Sequence, residues 1–445
     1  MDDINLLLIG VDSLRADHMS CYGYHRLTTP HIDRLASGGV LFEEAFSPHI
    51  PTVPGYTSML TGTDVISNQA VSLAPRDPLD TSIKLLPEIL GETGYRSACV
   101  GFDGSFFRGF DEYRTYDYWP SWEDAPGHKA EELNRMAIPL LEDMAQGPFF
   151  LFLRHMDPHT PYLPPPPFRD LFYSRDPVDG DNSMEPVFAR NSFADYFRSW
   201  MPPGIRDIDW VVAQYDSSLA YMDACISRIM TRLEELGLLE NTLVVITSDH
   251  GESLAEHGIY FDHHGLYEQT IHIPLILHLP GAIPGGSRFS ETVLQQDLLP
   301  TLLDVMGTGE AIKKLHIDGK SMLPIIEGVE HWTRDEIYLS ECTWMKKQGW
   351  RTSRFKLIQA LEPDLYGFPP WELYDLTGDP GERNNIADDK PGIVKSLRER
   401  MESWKSRRMA ESGKPDPLEK NRPSFKASGY RMRALTSRKP PAEGK

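Results

Sequence analysis

Three short, almost wholly apolar runs stand out along the chain, and each leads at once into polar residues. They are "NLLLIGV" at 5–11, "FFLFL" at 149–153 and "TLVVIT" at 242–247. Runs of this length without alternation predict strands buried on both faces, as in a parallel sheet covered by helices. The polar residues that follow them are Asp12, then His155 and His159, then Asp249 and His250. Because ligands bind at the carboxyl ends of strands in open α/β sheets, the three clusters predict one convergent site.

The intervals between these runs predict helices and one further strand. The segments "PHIDRLASGG" and "SIKLLPEILGETGY" are short helical stretches with glycine near their ends, and "RSACVG" follows the second as a strand. Apolar residues at three-to-four spacing from Asp209 to Leu236 predict a long amphipathic helix, which Gly237 ends. Strands and helices in this order predict an α/β fold with a mostly parallel central sheet.

The pattern changes after residue 334. "EIYLSE" and "FKLIQAL" predict strands of a small antiparallel sheet, and "GIVKSLRERMESWKSRR" predicts a helix. We therefore expect a catalytic domain at 1–334, a smaller C-terminal α+β subdomain at 335–404 and a basic tail at 405–445. The proline-rich, aromatic segment 161–205 has no clean periodicity, which predicts a long surface insertion, and such insertions are often functional lids.

The amino-acid composition indicates the cellular compartment in which we expect the protein. An apolar share of 40% and a charged share of 25% over 445 residues are ordinary for a soluble globular protein. No apolar run approaches the roughly 20 residues that span a bilayer, and the first residues do not resemble a signal peptide. Four separated cysteines without a CxxC pair favour a reducing compartment. We expect a cytoplasmic protein without a membrane partner.

The net charge of the chain limits the kinds of partner that we expect. A net charge of −20 disfavours nucleic acid. The Lys- and Arg-rich tail is the exception, and it is typical of a solvated or subunit-wrapping segment, with a polyanion site as the alternative. The insertion and the tail are therefore the surfaces through which we expect a homo-oligomer, if one forms.

Asp12, Asp249 and His250 are the candidate metal ligands. Two carboxylates and an imidazole at strand ends suit a hard or borderline divalent cation. Asp249 and His250 are adjacent, so their side chains diverge unless the backbone turns, and Gly251 permits that turn. The alternative is a helix cap followed by a surface histidine.

The stretch "HIPTVPGYTSMLTG" at 49–62 predicts a stiff loop that enters a short helix. One interpretation of Thr52 is a capping residue at the start of that helix. The other is a nucleophile, because a nearby metal ion lowers the pKa of a hydroxyl group and helix N–H groups favour the developing anion.

These motifs together resemble the sulfatase branch of the alkaline phosphatase superfamily. "TVPGYTSMLTG" keeps the spacing of that family's C-x-P-S-R-x-x-x-x-T-G nucleophile motif, with Thr52 in first place. "GVDSLRADHMSCYGY" is similar to its metal-binding start, "HMDPHTPY" to its substrate-binding histidine segment and "SDHGESLAEHG" to its second metal motif. "DGKSMLPIIEG" and "ELYDLTGDPGERNNIA" follow in order. The resemblance implies an alkaline-phosphatase-like α/β fold and a metal-dependent hydrolase.

Four positions depart from the family pattern. Thr52 stands where sulfatases have the residue that is oxidised to formylglycine, and a β-branched secondary alcohol cannot give that aldehyde. Tyr56 replaces the motif arginine, and Ser13 replaces a second aspartate that usually follows the first metal ligand. His263 occupies the position of a lysine, four residues before a Tyr-Glu pair. Most of the anion-binding cations of a sulfatase are therefore absent.

The departures favour chemistry at phosphorus. A sulfated threonine lacks the C–O cleavage that releases sulfate from formylglycine, whereas water can attack the phosphorus of a phosphothreonine with help from a metal ion. We therefore expect a hydrolase of phosphodiesters or phosphonate monoesters that passes through phospho-Thr52. The alternatives are a sulfatase that uses an unusual route, a phosphoryl-group transferase and an inactive binding protein.

The resemblance also implies roles for individual residues. We expect His159 and His263 to be catalytic with Thr52, and Tyr56, His155 and His264 to contact a small anionic ester substrate. His263 is either a proton donor or a ligand of a second cation, with a surface histidine pair as the alternative. The expected metal ligands are Asp12, Thr52, Asp249 and His250. Their mixed O and N donors favour Zn²⁺ or Mn²⁺, whereas the sulfatase analogy points to Ca²⁺.

Overall fold

The three apolar runs are neighbouring strands in the computed structural model, which describes residues 3–73, 75–102, 108–116, 128–189, 191–309 and 315–423. The strands are β1 Asn5–Val11, β2 Val40–Phe46, β3 His49–Ile50, β4 Arg96–Gly101, β5 Glu112–Thr115, β6 Phe149–His155, β7 Thr242–Ser248, β8 His272–His278, β9 Ser287–Phe289, β10 Val293–Leu294, β11 Glu336–Cys342, β12 Lys346–Thr352, β13 Phe355–Ala360 and β14 Trp371–Asp375.

The α-helices fill the intervals between strands. They are α1 Pro30–Gly38, α2 Thr52–Thr61, α3 Val65–Asn68, α4 Leu86–Gly91, α5 Lys129–Met144, α6 Glu185–Ala189, α7 Asn191–Trp200, α8 Ile208–Glu235, α9 Glu268–Ile271, α10 Leu298–Val305, α11 Leu323–Ile326, α12 Pro391–Ser412 and α13 Pro417–Lys420. None of the helices in the described ranges combines the length and the apolar character needed to cross a bilayer.

The large sheet has the strand order β10-β2-β8-β7-β1-β6-β4-β5, with β9 also paired to β2. Strand β1 pairs in parallel with both β6 and β7, so the carboxyl ends of all three strands meet at one edge. Strand β8 is antiparallel to β7 and β2. The prediction of a mostly parallel α/β sheet is confirmed.

Helices cover both faces of this sheet, and β1 shows how the faces divide. Leu6 and Leu8 pack into a core formed with α2, α4 and α10. Leu7, Ile9 and Val11 pack into a second core formed with α1, α5 and α8. Since successive side chains of a strand point to opposite faces, a strand buried on both sides has to be apolar throughout.

A second, five-stranded sheet has the order β14-β13-β12-β11-β3. Its C-terminal strands are antiparallel, whereas the two-residue strand β3 joins β11 in parallel. The C-terminal sheet predicted from the sequence therefore includes residues from just before Thr52. Helix α12 continues to Ser412, so the expected boundary after residue 404 falls inside a helix. Residues 424–445 of the expected basic tail lie outside the described residues.

The segment 161–205 packs more closely than the predicted surface insertion. It contains α6 and α7, and it buries Tyr162, Val187, Phe197 and Trp200 in the core that also holds β1. The sequence did not predict this contact, because the short helices and loops of the segment each contribute only isolated buried residues, which show no regular spacing. The prediction that the segment is a surface insertion is wrong for these residues.

Candidate functional site

The ends of β1 and β7 bring Asp12 and Asp249 together. After β1 the chain turns sharply at Ser13, whose φ of 62° is unusual for a residue other than glycine. This turn lets the Ser13 N–H donate to Asp249 Oδ1 at 3.3 Å, and the His250 N–H donates to the same oxygen at 3.0 Å. Asp249 Oδ2 is buried and has no hydrogen-bond donor among the described residues. That oxygen is therefore available to a cation.

His250 turns a lone pair toward these carboxylates. Its Nδ1 lies 2.9 Å from the carbonyl oxygen of Gly251. Since a carbonyl only accepts, Nδ1 carries the proton and Nε2 has the lone pair. Nε2 lies 3.3 Å from Asp249 Oδ2 and 3.7 Å from Asp12 Oδ1. This arrangement excludes the alternative of a cap followed by a surface histidine.

Thr52 completes the group from the start of α2. Its Oγ1 lies 3.1 Å from His250 Nε2. The residue before the helix is Pro51, and no side chain caps the helix, so the capping interpretation of Thr52 is wrong. The helix end lies close against the loop after β7, because a Cβ on Gly55 would be 2.6 Å from the Asp249 carbonyl oxygen. Glycine at position 55 is what permits this approach.

Burial dominates the electrostatics of the cluster. It raises the pKa of both Asp12 and Asp249 to about 7, and repulsion from Asp249 adds to the rise at Asp12. Burial also lowers the pKa of His250. Ligand atoms of the three side chains all lie within 4.8 Å of one another. Two carboxylates, an imidazole lone pair and an unused buried oxygen fit a divalent cation, which would supply the missing positive charge.

His263 and His159 lie beside this cluster. The ring of His263 stacks on that of His250, with centroids 4.3 Å apart, and lies 5.5 Å from the ring of His159. His263 Nδ1 is 3.2 Å from Asp262 Oδ1 and 4.0 Å from Glu252 Oε2. The alternative of a surface histidine pair is wrong, because His263 is only 3% exposed.

Comparison with known proteins identifies the family. The sequence model described as Sulfatase matches residues 4–308, and the model of the N-sulphoglucosamine sulphohydrolase C-terminal region matches residues 255–407. The chain belongs to the sulfatase family. It is therefore an ester-hydrolysing enzyme. Members of this family use a divalent metal ion, and the Asp12, Asp249 and His250 cluster is a possible site for it.

Similar proteins within the family differ in what their names say they hydrolyse. The N-acetylglucosamine-6-O-sulfatase of Bacteroides thetaiotaomicron is 25% identical, over 95% of this chain and 89% of its own. The multifunctional alkaline phosphatase superfamily protein PehA of Trinickia caryophylli is 25% identical, over 90% of this chain and 95% of its own. The structure of phosphonate monoester hydrolase of Agrobacterium radiobacter has a TM-score of 0.73 at 22% identity, covering 91% of this chain and 96% of its own. At that identity the structure supports the fold alone.

Tyr56 and His155, two of the expected substrate contacts of this sulfatase-family enzyme, are both fully buried. Tyr56 is fully buried, and its ring lies 4.7 Å from the guanidinium of Arg154. It supports the floor of the site from inside the core. His155 follows Leu151 and Leu153 on the sheet face away from α2, and burial alone lowers its pKa to about 3. Contact of either side chain with the substrate stays a prediction.

His264, the third expected substrate contact, lies between two carboxylates. Its Nε2 is 3.1 Å from Asp262 Oδ2 and its Nδ1 is 4.0 Å from Glu341 Oε1. The ring is fully buried, which gives it a role in holding the loop that carries His263.

Three further residues near the site were not assigned a role from the sequence. Arg154 lies inside β6, Glu252 follows the Asp-His pair, and Glu341 comes from β11 of the small sheet. A charged residue directly after an apolar strand run was a usable signal for Arg154, because buried charges need partners. Glu341 had no local signal, since its contacts with the site depend on sheet pairing across the chain.

Proposed function

We propose that this enzyme hydrolyses small anionic phosphodiesters or phosphonate monoesters through a covalent phospho-Thr52 intermediate. The observation that carries the proposal is Thr52 itself, at the N-terminus of α2 with its Oγ1 3.1 Å from His250 Nε2. A hydroxyl in this position lies beside a candidate metal ligand, and helix N–H groups favour its developing negative charge.

The chemistry of threonine supports phosphorus over sulfur. Threonine cannot form the formylglycine aldehyde, so a sulfated intermediate would lack the C–O cleavage that sulfatases use. Release would then need water to attack sulfur. A phosphothreonine can be released by attack of water on phosphorus, which is the ordinary second step of phosphoryl transfer through a covalent intermediate.

Asp12, Asp249, His250 and Thr52 Oγ1 would hold the divalent cation, for which their donors favour Zn²⁺ or Mn²⁺ over Ca²⁺. Such a cation would lower the pKa of the Thr52 hydroxyl and would supply positive charge to the phosphoryl oxygens. In the first step Thr52 Oγ1 gives its proton to solvent and forms a bond to phosphorus, while the bond to the leaving alcohol breaks and that oxygen takes a proton from His263. In the second step water attacks phosphorus and Oγ1 leaves with a proton.

The two neighbouring histidines serve the leaving group and the substrate. His263 has Nδ1 beside Asp262 Oδ1, which orients the ring and supports a positive charge on it. We assign it as the proton donor to the leaving alcohol. His159 donates Nδ1–H to the carbonyl oxygen of Thr160 at 2.8 Å, which fixes the orientation of its ring, and we propose that this ring contacts the substrate.

A sulfate-ester hydrolase is the second candidate function, because the N-acetylglucosamine-6-O-sulfatase relative matches 95% of this chain. This candidate function uses the same metal cluster, but its intermediate would be a sulfated threonine that has to be released. Aryl sulfates would then be turned over repeatedly, whereas the phosphorus proposal expects at most one turnover before the enzyme is trapped.

The test is a panel of matched aryl esters: a phosphodiester, a phosphonate monoester, a phosphomonoester and a sulfate with the same leaving phenol. The metal content of the purified protein is measured in parallel. We expect kcat/KM for the phosphodiester or phosphonate ester to exceed that for the sulfate. Sustained aryl sulfate turnover faster than both phosphorus esters, abolished by Thr52→Ala, would establish the second candidate instead.

A further inference from the structure

Strand β11 of the small sheet holds the chain that leads into Thr52. Ser340 pairs with His49 and Glu341 pairs with Ile50, two residues before Thr52. The Ser340 N–H donates to the carbonyl oxygen of Pro48 at 2.9 Å, and Ser340 Oγ lies 3.0 Å from His49 Nδ1. The position of the nucleophile is therefore tied to the backbone of β11.

The side chain of Glu341 holds the loop that carries His263. Glu341 is fully buried, and its Oε2 accepts a hydrogen bond from the Gly265 N–H at 3.1 Å. Its Oε1 lies 4.0 Å from His264 Nδ1 and accepts a hydrogen bond from the Thr343 hydroxyl. One residue thus contacts the strand before Thr52 through its backbone and the loop after His263 through its carboxylate.

The loop has little freedom to compensate for a lost contact. Gly265 has a φ of +84°, and a Cβ there would lie 2.5 Å from the Tyr267 ring. The His263 N–H donates to Asp262 Oδ1 at 2.9 Å at the other end of the loop. Without an acceptor at position 341, the Gly265 N–H would be buried without a partner, and the loop would have to move to satisfy it.

We propose that Glu341 is a positioning residue that fixes His263 relative to Thr52. The inference rests on the proposed function, because it assumes that both residues act on one ester. It assigns a catalytic support to the C-terminal sheet. A shift of about 1 Å between reacting groups can cost about a hundredfold in rate, so the contact is worth measuring through activity.

Two substitutions separate the hydrogen bond from the space that Glu341 fills. Glu341→Met keeps most of the volume and removes the acceptor. Glu341→Gln keeps an acceptor oxygen for Gly265 N–H. The amide is a close substitute because burial raises the pKa of this carboxyl to about 7, so that much of it is uncharged at neutral pH.

The experiment is a double-mutant cycle with His263→Ala, measured on whichever aryl ester the enzyme hydrolyses fastest. We expect Glu341→Met to lower kcat/KM about tenfold to a hundredfold and Glu341→Gln to stay within about threefold of wild type. In the His263→Ala background, Glu341→Met should cost less than about threefold. Metal content should not change, since Glu341 contacts none of the three candidate ligands.

Ser340→Ala is the matched control, because it removes a buried hydrogen bond from the neighbouring residue of β11 without touching the loop. Its effect should multiply with that of His263→Ala. An equal loss from Glu341→Met in both backgrounds would overturn the inference and leave Glu341 a structural residue. If Glu341→Met does not fold, Thr343→Val loosens the same carboxylate and enters the same cycle. The cycle does not depend on whether phosphorus or sulfur esters are preferred, so the two proposals can fail separately.

Discussion

Thr52→Ala tests the central residue of the site by removing its hydroxyl group together with its methyl group. If Oγ1 is the nucleophile, its attack is replaced by that of solvent water. A well-placed group has an effective concentration of about 10⁵ M or more, against about 55 M for water, so the loss should be at least about 10³-fold. This corresponds to about 4 kcal/mol of transition-state stabilisation. The fold should survive, because only one hydrogen bond, to His250, is removed.

The assay compares kcat on the best aryl phosphorus ester for wild type, Thr52→Ala and Thr52→Ser. Serine keeps the oxygen but gains side-chain rotamers, which should cost about threefold if one of three rotamers is productive. Metal content and melting temperature are measured for all three proteins, so that a lost site is not mistaken for a lost nucleophile. Mass spectrometry of acid-quenched wild type should show a phosphorylated residue 52. Turnover of Thr52→Ala within tenfold of wild type would remove Thr52 from the mechanism.

Three further predictions concern the metal site, the proton donor and the buried side chain of His155. Asp249→Ala should bind no metal after dialysis, because it removes the buried oxygen that has no other partner among the described residues, and full metal occupancy by elemental analysis would contradict this. His263→Ala should slow esters of alkyl alcohols far more than esters of acidic phenols, and equal losses would assign it to binding. His155→Leu should keep activity within about threefold. The same variant should also change how stability depends on pH. The pKa of His155 is about 3 in the folded wild type, below the ordinary 6.5, so its contribution to the unfolding free energy is full above pH 6.5 and falls by about 2 kcal/mol at pH 5. Urea titrations should show this loss in the wild type and not in the variant.

Local pattern was sufficient to predict the central strands and the groups at their ends. The apolar side chains of residues 5–11 and 242–247 pack alternately into the two helical layers that cover the sheet. Only a central strand, which is covered on both faces, requires apolar residues at successive positions. Asp12, Asp249 and His250 follow without an intervening loop, so strand direction alone brought them together. The same reasoning placed Thr52 at a helix start, but only the structure showed that Thr52 is the first residue inside the helix and that no side chain caps the helix.

The missed elements depend on contacts between distant parts of the chain. Strand β12, "KKQGWRT", is too polar to be predicted as a buried strand, yet Lys347 is fully buried because it pairs with Asp364 at 2.8 Å and Glu372 at 3.2 Å. Those partners lie on later segments. The pairing of β3 with β11 joins residues 49–50 to residues 340–341. No local periodicity can show such a pairing, which is why the contribution of the small sheet to the site was not predicted.

The positive charge that the nucleophile motif lacks is found on a neighbouring strand. Arg154 is fully buried, and its guanidinium lies 4.7 Å from the ring of Tyr56, the residue that replaces the motif arginine. It attracts both Asp12 and Asp249 and opposes the rise that burial causes in their pKa. A second arginine at position 56 would place two cations in one buried space, which is unfavourable. The presence of Arg154 therefore explains why position 56 holds an uncharged tyrosine. The Arg154 charge therefore stabilises the two carboxylates of the candidate metal site from within the core. If an anionic ester is bound through the metal ion and the neighbouring histidines, as we propose, we expect the enzyme to prefer the single charge of a phosphodiester to the double charge of a phosphomonoester.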